Sequence, residues 1–343
     1  MNARVIVAKL IRERVWVLLV AMLAYAGLTI PGFLSSSNLG LTLDQATPIG
    51  LMAVGLTLCL IVGQVDLSSG AVVTLSGIVA IGMQGPLGAF PAVLAGITAG
   101  LACGAVNGIL ISKGKNNSLV VTLASGLFIV AFADYLTASK PEVSNNPLYG
   151  SGLLQGIVGD VTPRTLIFLA TGVLLALFLR FTGWGRTAFA LGSNPASAED
   201  AGVRTDSYVI AAFVFAGGCA GAAGVFLSLS TGSGSSTYGG FSMTISVLTA
   251  VVIGGTRLEG GQGSAIGTIG GVMTLAALTA AMNYDSVEVY TQEIVVGFVL
   301  VLLVVVDALG GSGTFGGSSA APRGSLGSRI TSVIAVSEDR DTI

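Results

Sequence analysis

The stretch GQVDLSSG, residues 63–70, places a single carboxylate, Asp66, between apolar runs of the chain. A lone charge in apolar surroundings is costly, so Asp66 needs contact with water or a bonding role. Because Asp66 precedes an apolar helical run, its carboxylate can accept from the free N–H groups of Ser68 or Ser69 at the positive end of that helix. We therefore expect Asp66 to cap a helix. Direct contact with a substrate or a moving partner is the alternative.

Other residues able to do chemistry are few. The sequence has no histidine, which is the commonest proton relay and metal ligand. Cys59, Cys103 and Cys219 stand singly in apolar runs, which favours inert packing. The stretch GGTRLEGGQG looks like a phosphate cradle but lacks the Gly-Lys-Ser/Thr ending and a preceding strand. The sequence thus predicts no enzyme, metal or nucleotide site in this chain.

The composition predicts a membrane protein. Of 343 residues, 52% are hydrophobic and 9% are charged, against about 25% charged in a typical soluble domain. Backbone polar groups in lipid are satisfied within a helix, so we predict an all-α polytopic membrane protein of about ten transmembrane helices. The predicted spans are 15–33, 45–64, 68–84, 91–112, 118–138, 164–181, 207–230, 243–255, 263–282 and 292–308.

The basic residues predict the orientation of these spans. With the N-terminus in the cytoplasm, all of the 15 Lys and Arg residues except Lys140 and Arg164 fall on the cytoplasmic side. Both termini are then cytoplasmic, and Asp66 lies at the cytoplasmic end of the second span. The third and eighth spans are short, and each is either a crossing helix or a broken or re-entrant one.

The chain divides into three parts by composition. We predict a cytoplasmic N-terminus (1–14), a transmembrane permease domain (15–309) and a Gly/Ser-rich cytoplasmic tail (310–343) that is disordered. The apolar N-terminal run is too long for a signal peptide and lacks a cleavage pattern, so it is a retained first span. The longest segments between spans are an outer loop, 139–163, and an inner loop, 182–206.

Part of the glycine content follows helical spacing. Gly96, Gly100, Gly104 and Gly108 recur every four residues and share one face of the fourth span. Small residues at this spacing let helix backbones approach closely in a membrane. The face is therefore an interface, either inside one subunit or between two subunits. The same spacing recurs at Gly217 and Gly221, and at Gly263, Gly267 and Gly271.

The chain also shows a weak internal match. An offset of 191 residues aligns IVGQVDLSSG (61–70) with VIGGTRLEGG (252–261), so that Asp66 faces Arg257. Both stretches end one predicted span and open the next. A parallel repeat, spans two to four against spans eight to ten, is our hypothesis.

Four motifs in order resemble the permease subunits of bacterial ABC importers of the ribose, xylose, arabinose, galactose and autoinducer-2 type. They are VDLSSGAVVTLSG from Val65, ALGSNPASAEDAGV (190–203), AVVIGGTRLEGGQGSAIGT (250–268) and VVVDAL (304–309). The resemblance covers nearly all of residues 15–309. Gln64 stands where a glycine is usual in these permeases, and Ser69 where a valine is usual. These departures leave the family unchanged and the identity of the sugar open.

The resemblance implies a multi-pass permease of the bacterial inner membrane with no ATPase site of its own. It also implies two cytoplasmic ATPase subunits that use ATP and Mg²⁺, an extracytoplasmic solute-binding protein, and a second permease copy or paralogue. This chain itself would bind no cofactor, no metal and no nucleic acid. The motif residues that the resemblance places along the translocation path are Asp66, Ser68, Gly70, Gly254, Gly255 and Arg257.

The inner loop has the pattern of a short helix. Turn formers precede the helix-favouring ASAEDA, and Gly202 follows as a helix stop. Together with the resemblance, this predicts a coupling helix that an ATPase grips; an ordinary connector is the alternative. Leu191, Ala198, Ala201 and Val203 are then expected to be partly exposed in the isolated chain. The coupling residues are Leu191, Gly192, Asn194, Pro195, Ala198, Ala201 and Gly202.

Two functions compete at this level. The first is the translocating subunit of an ATP-driven importer of a small solute, with a monosaccharide as the expected cargo. The second is an ion-coupled secondary carrier for a small polar solute. Carriers of that type use intramembrane acids, and this sequence has few of them, which favours the importer.

Overall fold

The computed structural model describes residues 14–144, 146, 152, 155–157 and 160–314. In these residues the chain forms thirteen helices and one pair of two-residue strands. The elements in order are α1 (Arg14–Thr29), α2 (Ser36–Ile61), α3 (Ser69–Gly82), α4 (Gln84–Leu87), α5 (Ala89–Ser112), α6 (Ser118–Thr137), β1 (Glu142–Val143), α7 (Pro163–Phe181), α8 (Gly183–Ser193), α9 (Pro195–Asp200), α10 (Thr205–Thr231), β2 (Ser233–Gly234), α11 (Gly240–Ile253), α12 (Ala265–Tyr284) and α13 (Val289–Thr314).

The helices confirm an all-α protein built for a membrane. Six of the described helices, α2, α5, α6, α7, α10 and α12, are long and apolar enough to cross a bilayer, and four shorter apolar helices accompany them. Large apolar side chains point outward along these helices, among them Leu28, Leu127 and Phe128. Contact between such side chains and lipid is favourable, whereas a water-soluble protein rarely exposes so many large apolar side chains. Each predicted span overlaps one of these helices.

α2 and α10 form the centre of the described chain. The central turns of α2, including Leu51, Leu56 and Leu60, are buried, as are Phe213 and Val225 on α10. Residues up to Leu303 form one compact unit, and the last turns of α13, from Val304, belong to a second.

The predicted glycine face lies inside one chain, between α5 and α10. A Cβ atom built on Gly100 would lie 2.7 Å from the Gly221 Cα, and one built on Gly104 would meet the backbone carbonyl oxygen of Phe213. A Cβ on Gly108 would lie 2.9 Å from the Ile210 Cα. The glycine face is therefore an interface inside one subunit rather than between two subunits. Glycine is needed there because the neighbouring backbone leaves no room for a side chain.

Two helices, α3 and α11, have 14 residues each. At 1.5 Å per residue they rise about 21 Å, less than the roughly 30 Å hydrocarbon core. Their N-terminal turns contact each other through a reciprocal pair of hydrogen bonds. The Gly70 N–H donates to Thr244 Oγ1 at 3.1 Å, and the Gly239 N–H donates to Thr74 Oγ1 at 3.1 Å. Each short helix thus supplies a threonine that satisfies a backbone donor at the start of the other.

The described part of the outer loop is joined to the end of α10. β1 pairs antiparallel with β2, Glu142 opposite Gly234. The Ser144 N–H donates to the Gly232 carbonyl at 2.9 Å, and Ser144 Oγ donates to Gln84 Oε1 at 2.7 Å. These bonds tie the loop to both α4 and α10.

The structure corrects two predicted helix boundaries and adds one helix. α2 begins at Ser36 rather than residue 45, because Ser35 caps its first turn by accepting from the Asn38 N–H. The inner loop contains a second helix, α8, which three glycines concealed in the sequence. α13 continues to Thr314, past the predicted boundary at residue 309. Most of the predicted N-terminal segment and tail, residues 1–13 and 315–343, lie outside the described residues.

Candidate functional site

Asp66 accepts from the Ser68 N–H, as predicted, but it does not cap α3, because Ser68 is itself the N-cap residue and its side chain makes no capping bond to the helix. Asp66 Oδ1 accepts from the Ser68 N–H at 2.8 Å and from Ser68 Oγ at 2.6 Å. Asn107 of α5 then donates from Nδ2 to Ser68 Oγ at 2.9 Å. Asp66 is only 3% exposed, so it is enclosed by protein rather than wetted by solvent. The carboxylate and two neutral side chains form a short hydrogen-bonded chain at the N-terminal end of α3.

The extended segment that carries Asp66 is held by the first turns of α6. The Val65 N–H donates to Ser118 Oγ at 3.3 Å, and the Leu67 N–H donates to Thr122 Oγ1 at 3.1 Å. Hydroxyl groups here replace the helical carbonyls that this non-helical backbone lacks, which is how irregular backbone is tolerated inside a membrane protein.

α2 ends in a Schellman cap centred on Gly63. Gly63 has φ +80°, its N–H donates to the Leu60 carbonyl at 2.9 Å, and the Gln64 N–H donates to the Cys59 carbonyl at 2.9 Å. This pattern needs a residue in the left-handed region, which glycine adopts without steric cost.

α11 ends in the same cap, centred on Gly255. Gly255 has φ +86° and donates to the Val252 carbonyl at 3.0 Å, while Thr256 donates to the Val251 carbonyl at 3.2 Å. The caps therefore match Gly63 with Gly255, one residue away from the sequence alignment that matched Gly63 with Gly254. In this register Arg257 corresponds to Val65, so the pairing of Asp66 with Arg257 was wrong. The full-length repeat stays a prediction.

Four glycines from three separated parts of the chain meet at the ends of these helices: Gly63, Gly192, Gly260 and Gly261. We call them the glycine junction. The Gly261 N–H donates to the Ile61 carbonyl at 3.1 Å, which joins the loop after α11 to the last turn of α2. A Cβ on Gly192 would meet that same carbonyl and lie 2.5 Å from the Gly261 nitrogen. A Cβ on Gly260 would lie 2.7 Å from the Gly63 Cα. Backbone packs directly on backbone here.

Gly192 enters this junction from the end of α8, beside the short helix α9. Asn194 ends α8 and also caps α9, because its Oδ1 accepts from the Ser197 N–H at 3.1 Å, and Pro195 is the first residue of α9. Gly202, at φ +81°, ends α9 in a third Schellman cap, in which Val203 donates to the Ala198 carbonyl at 3.0 Å. The predicted short helix and its glycine stop are confirmed.

The exposure expected for this segment is partly wrong. Leu191 and Ala198 are 2% and 6% exposed, since both pack into the apolar core of their own chain. Val203 is half-buried, whereas Asn194, Pro195, Ala201 and Gly202 are exposed. Apolar residues in a loop pattern do not reveal which surface they bury against. The exposed side of α8 and α9 is therefore the turn and the C-terminal end of α9.

Comparison with known proteins identifies the family. The model of the family described as branched-chain amino acid transport system / permease component matches residues 38–304. The chain belongs to this permease family. It is 30% identical to the ribose import permease of Escherichia coli over 88% of this chain and 94% of the relative. It is 32% identical to the L-arabinose ABC transporter permease of Azospirillum brasilense, over 86% and 87%.

A third relative, the fructose import permease of Rhizobium meliloti, is 27% identical over 85% of this permease and 83% of its own length. No solved structure matches the chain significantly. Membership in a family of transport permeases agrees with the expected transport subunit and with a multi-pass membrane location.

The remaining motif residues of the permease fall into two groups. Gly254 and Gly255 lie in the cap of α11, beside the glycine junction, whereas Gly70 lies at the crossing of α3 and α11. Arg257 is half-buried in the loop after α11, where its N–H donates to the Gln262 carbonyl at 3.1 Å. Among the described residues, no ion pair joins Arg257 to Asp66. The structure therefore brings the coupling and cap residues together but keeps Asp66 and Ser68 as a separate cluster.

Sequence reasoning missed a buried ion pair of the permease. Arg164 of α7 binds both carboxylate oxygens of Asp44 on α2 through Nε and Nη2, and Thr162 Oγ1 also donates to Asp44. Both charged residues are buried. The sequence feature that could have revealed this pair is the acid in the run LTLDQATPIG. It was missed because the second span was predicted to begin at residue 45, which left Asp44 outside the span. The pair ties α2 to α7 and leaves neither charge unpaired.

Proposed function

We propose that this permease is the membrane subunit of an ATP-driven importer that carries a monosaccharide. The sugar-import names of its relatives support the cargo. The glycine junction is the observation that supports coupling, because it connects α8, which precedes α9, directly to the end of α2 and to the loop that follows α11. Motion applied to α8 and α9 reaches two membrane helices without an intervening side chain.

The family description names amino acids, but the charges of this permease favour a neutral solute. A branched-chain amino acid carries a carboxylate that needs a cation or several donors. Arg164, the buried cation among the described residues, is already bound to Asp44 at both carboxylate oxygens. A sugar needs no such partner.

An ion-coupled carrier has weak support. Such a carrier needs an intramembrane acid that is free to take up an ion or a proton. In the part of the chain that the structure describes, the two buried acids are Asp44, which is paired with Arg164, and Asp66, which accepts two bonds from Ser68. Each already has a structural partner.

The assembly follows from this function. Two cytoplasmic ATPase subunits that hold ATP and Mg²⁺, an extracytoplasmic sugar-binding protein and a second permease copy complete the importer in the bacterial inner membrane. The six long and four shorter apolar helices support ten crossings. The distribution of Lys and Arg supports cytoplasmic termini, and the matching caps of α2 and α11 support an internal parallel repeat.

The ATPase contact lies on the exposed side of α8 and α9. Asn194, Pro195, Ala201 and Gly202 face outward and are available to a partner. The buried residues of this segment instead pass the motion of the ATPase on to the rest of the permease. They are Leu191, Gly192 and Ala198. A charge at Ala198 would therefore disrupt the permease itself, whereas a charge at Ala201 tests only the contact with the ATPase.

The proposal is tested in proteoliposomes that contain the permease, its ATPase and its binding protein. The wild type is expected to import D-ribose, L-arabinose or D-fructose only with ATP, whether or not a protonophore is present. L-leucine uptake instead would overturn the sugar assignment. Uptake that is lost with the protonophore and needs no ATP would show an ion-coupled carrier.

Copurification tests the coupling assignment. Ala201→Glu would bury an unpaired charge against the ATPase, a cost of a few kcal/mol that weakens association a hundredfold or more. The matched control is Ser37→Glu, an exposed position in the first turn of α2, which should retain the ATPase. Normal ATPase affinity in Ala201→Glu would show that α8 and α9 are only a connector.

A further inference from the structure

A small groove with a mixed polar and apolar lining lies between the first turns of α11 and the second and third turns of α13. It is open on one side, has a volume of about 230 Å³ and is lined by Phe241, Ser242, Ile245, Ser246, Glu293 and Val296. Because a water molecule takes up roughly 30 Å³ of liquid, this space holds a ring-sized solute. The groove is separate from Asp66, from the glycine junction and from the Asp44 ion pair.

Glu293 is the unusual residue of this groove. α13 is an apolar helix from Val289 to Val305, yet Glu293 is exposed on it. Ser242 Oγ donates to Glu293 Oε1 at 2.7 Å, and Ser246 Oγ donates to the Ser242 carbonyl at 3.1 Å. Among the described residues, no cation pairs with Glu293 and no donor bonds its Oε2. An acceptor oxygen therefore remains available at the groove.

The position of a free carboxylate on an apolar helix needs an explanation. Glu293 is the second residue of the predicted span 292–308, near its end, where an ionisable side chain faces water or a polar cavity rather than lipid. The hydrogen bond from Ser242 does not require a charge at position 293, because an uncharged side chain with one acceptor atom could accept it as well. The charge is useful if a polar solute or water occupies the groove.

The lining selects the chemistry of that solute. The carboxylate and the two serine oxygens offer acceptors to hydroxyl groups, since both serine O–H groups already donate within the groove, and bonds to a charged acceptor are the stronger ones. Phe241, which is 61% exposed, presents an apolar ring beside them. A solute with several hydroxyl groups and an apolar C–H face fits both features. An anionic solute would be repelled by Glu293, and a purely apolar one would leave the carboxylate without a partner.

We infer that this groove is a sugar-contact site on the transport path, in which Glu293 accepts from sugar hydroxyl groups and Phe241 packs against the sugar ring. This inference rests on the proposed function. Glu293 and Phe241 would then influence which sugar passes, in addition to the selection made by the binding protein.

The test is uptake by the full importer, with D-ribose, L-arabinose and D-fructose as probes. Glu293→Gln keeps the acceptor for Ser242 but removes the charge. We expect it to lower the import rate per ATP hydrolysed by about tenfold or more, the usual effect of losing a charge-assisted hydrogen bond. Phe241→Leu should lower import less and change the preference among the three sugars. ATPase association and thermal stability should match the wild type in both variants.

Matched controls lie on α13 or directly before it. Glu288→Gln removes an exposed carboxylate just before α13, and Phe298→Leu trims an exposed ring that does not line the groove. Both should import normally. Normal import and unchanged sugar preference in Glu293→Gln and Phe241→Leu, with an active wild type, would overturn the sugar-contact site alone. A wild type that imports none of the sugars would overturn the proposed function together with it.

Discussion

Two glycine-rich contacts in this permease use the same residue type for different purposes. Between α5 and α10, glycines at four-residue spacing bring two long helices together along a continuous face. At the glycine junction, single glycines from three separate elements meet at one point, and a backbone hydrogen bond from Gly261 to Ile61 joins two of them. A continuous face resists displacement because many contacts must break together. A point contact between helix ends can turn, so it suits a moving joint.

The largest expected effect comes from Gly104→Leu, which tests the α5–α10 face as a fixed contact. Even a Cβ there would meet the Phe213 carbonyl oxygen, so a leucine must separate the two helices. Overpacking of this kind typically costs 1–3 kcal/mol, and about this much or more is expected here because the obstructing atom is backbone. The readout is the thermal stability of the permease in detergent.

Ala102→Leu is the control for that face. Ala102 is exposed on α5 and lies on another side of the helix, about 200° away at 3.6 residues per turn. It should melt like the wild type. Equal loss of stability in the two variants would mean that the α5–α10 contact is not the constraint.

Gly192→Ala should have an intermediate effect and tests the junction as a joint. The added methyl group would push the Ile61 carbonyl and the Gly261 nitrogen apart. We expect the importer to assemble and to hydrolyse ATP, but with about tenfold less sugar carried per ATP, since α8 no longer moves with α2 and α11. The measurement is the ratio of uptake to ATP hydrolysis in proteoliposomes.

Gly183→Ala is the matched control on the same helix. Gly183 is exposed at the start of α8, and a Cβ there would meet only the end of the Arg186 side chain, at 3.9 Å. Alanine should even favour the helix slightly. If Gly192→Ala carries as much sugar per ATP as Gly183→Ala, the junction does not transmit force.

The smallest effects are expected for Gly63→Ala and Gly255→Ala, which separate cap strain from coupling. Each glycine lies in the left-handed region, so alanine costs roughly 1–2 kcal/mol in both. Only Gly63 belongs to the glycine junction, with a Cβ position 3.5 Å from the Gly192 Cα. Both variants should lose similar thermal stability, and only Gly63→Ala should also lower uptake per ATP. Equal uptake per ATP in the two would remove Gly63 from the joint.

Local features of this chain were predictable from sequence. Each span predicted from hydropathy overlaps an apolar helix, and the helix stop at Gly202 and the bond from the Ser68 N–H to Asp66 follow from neighbouring residues. α8 was missed because Gly183, Gly185 and Gly192 look like turn residues, yet tertiary packing outweighs their low helix propensity.

Contacts between distant residues were not predictable. Arg164 and Asp44 are 120 positions apart, and Ser193 and Gly261 are 68 apart. Nothing local specifies such pairs. For the same reason the expected exposure of Leu191 and Ala198 was wrong, since both are buried. A pattern shows that a residue is apolar, but the fold decides what covers it.

The crossing of α3 and α11 has a mechanical consequence. Thr74 and Thr244 each hold the first turn of the opposite helix, so sliding one helix along the other would break both bonds at once and expose unpaired N–H groups inside the membrane. Rotation about the line that joins the two bonds leaves both intact. When the importer changes from outward-open to inward-open, we therefore expect these two short helices to rotate about this line as about a hinge, with no change of register.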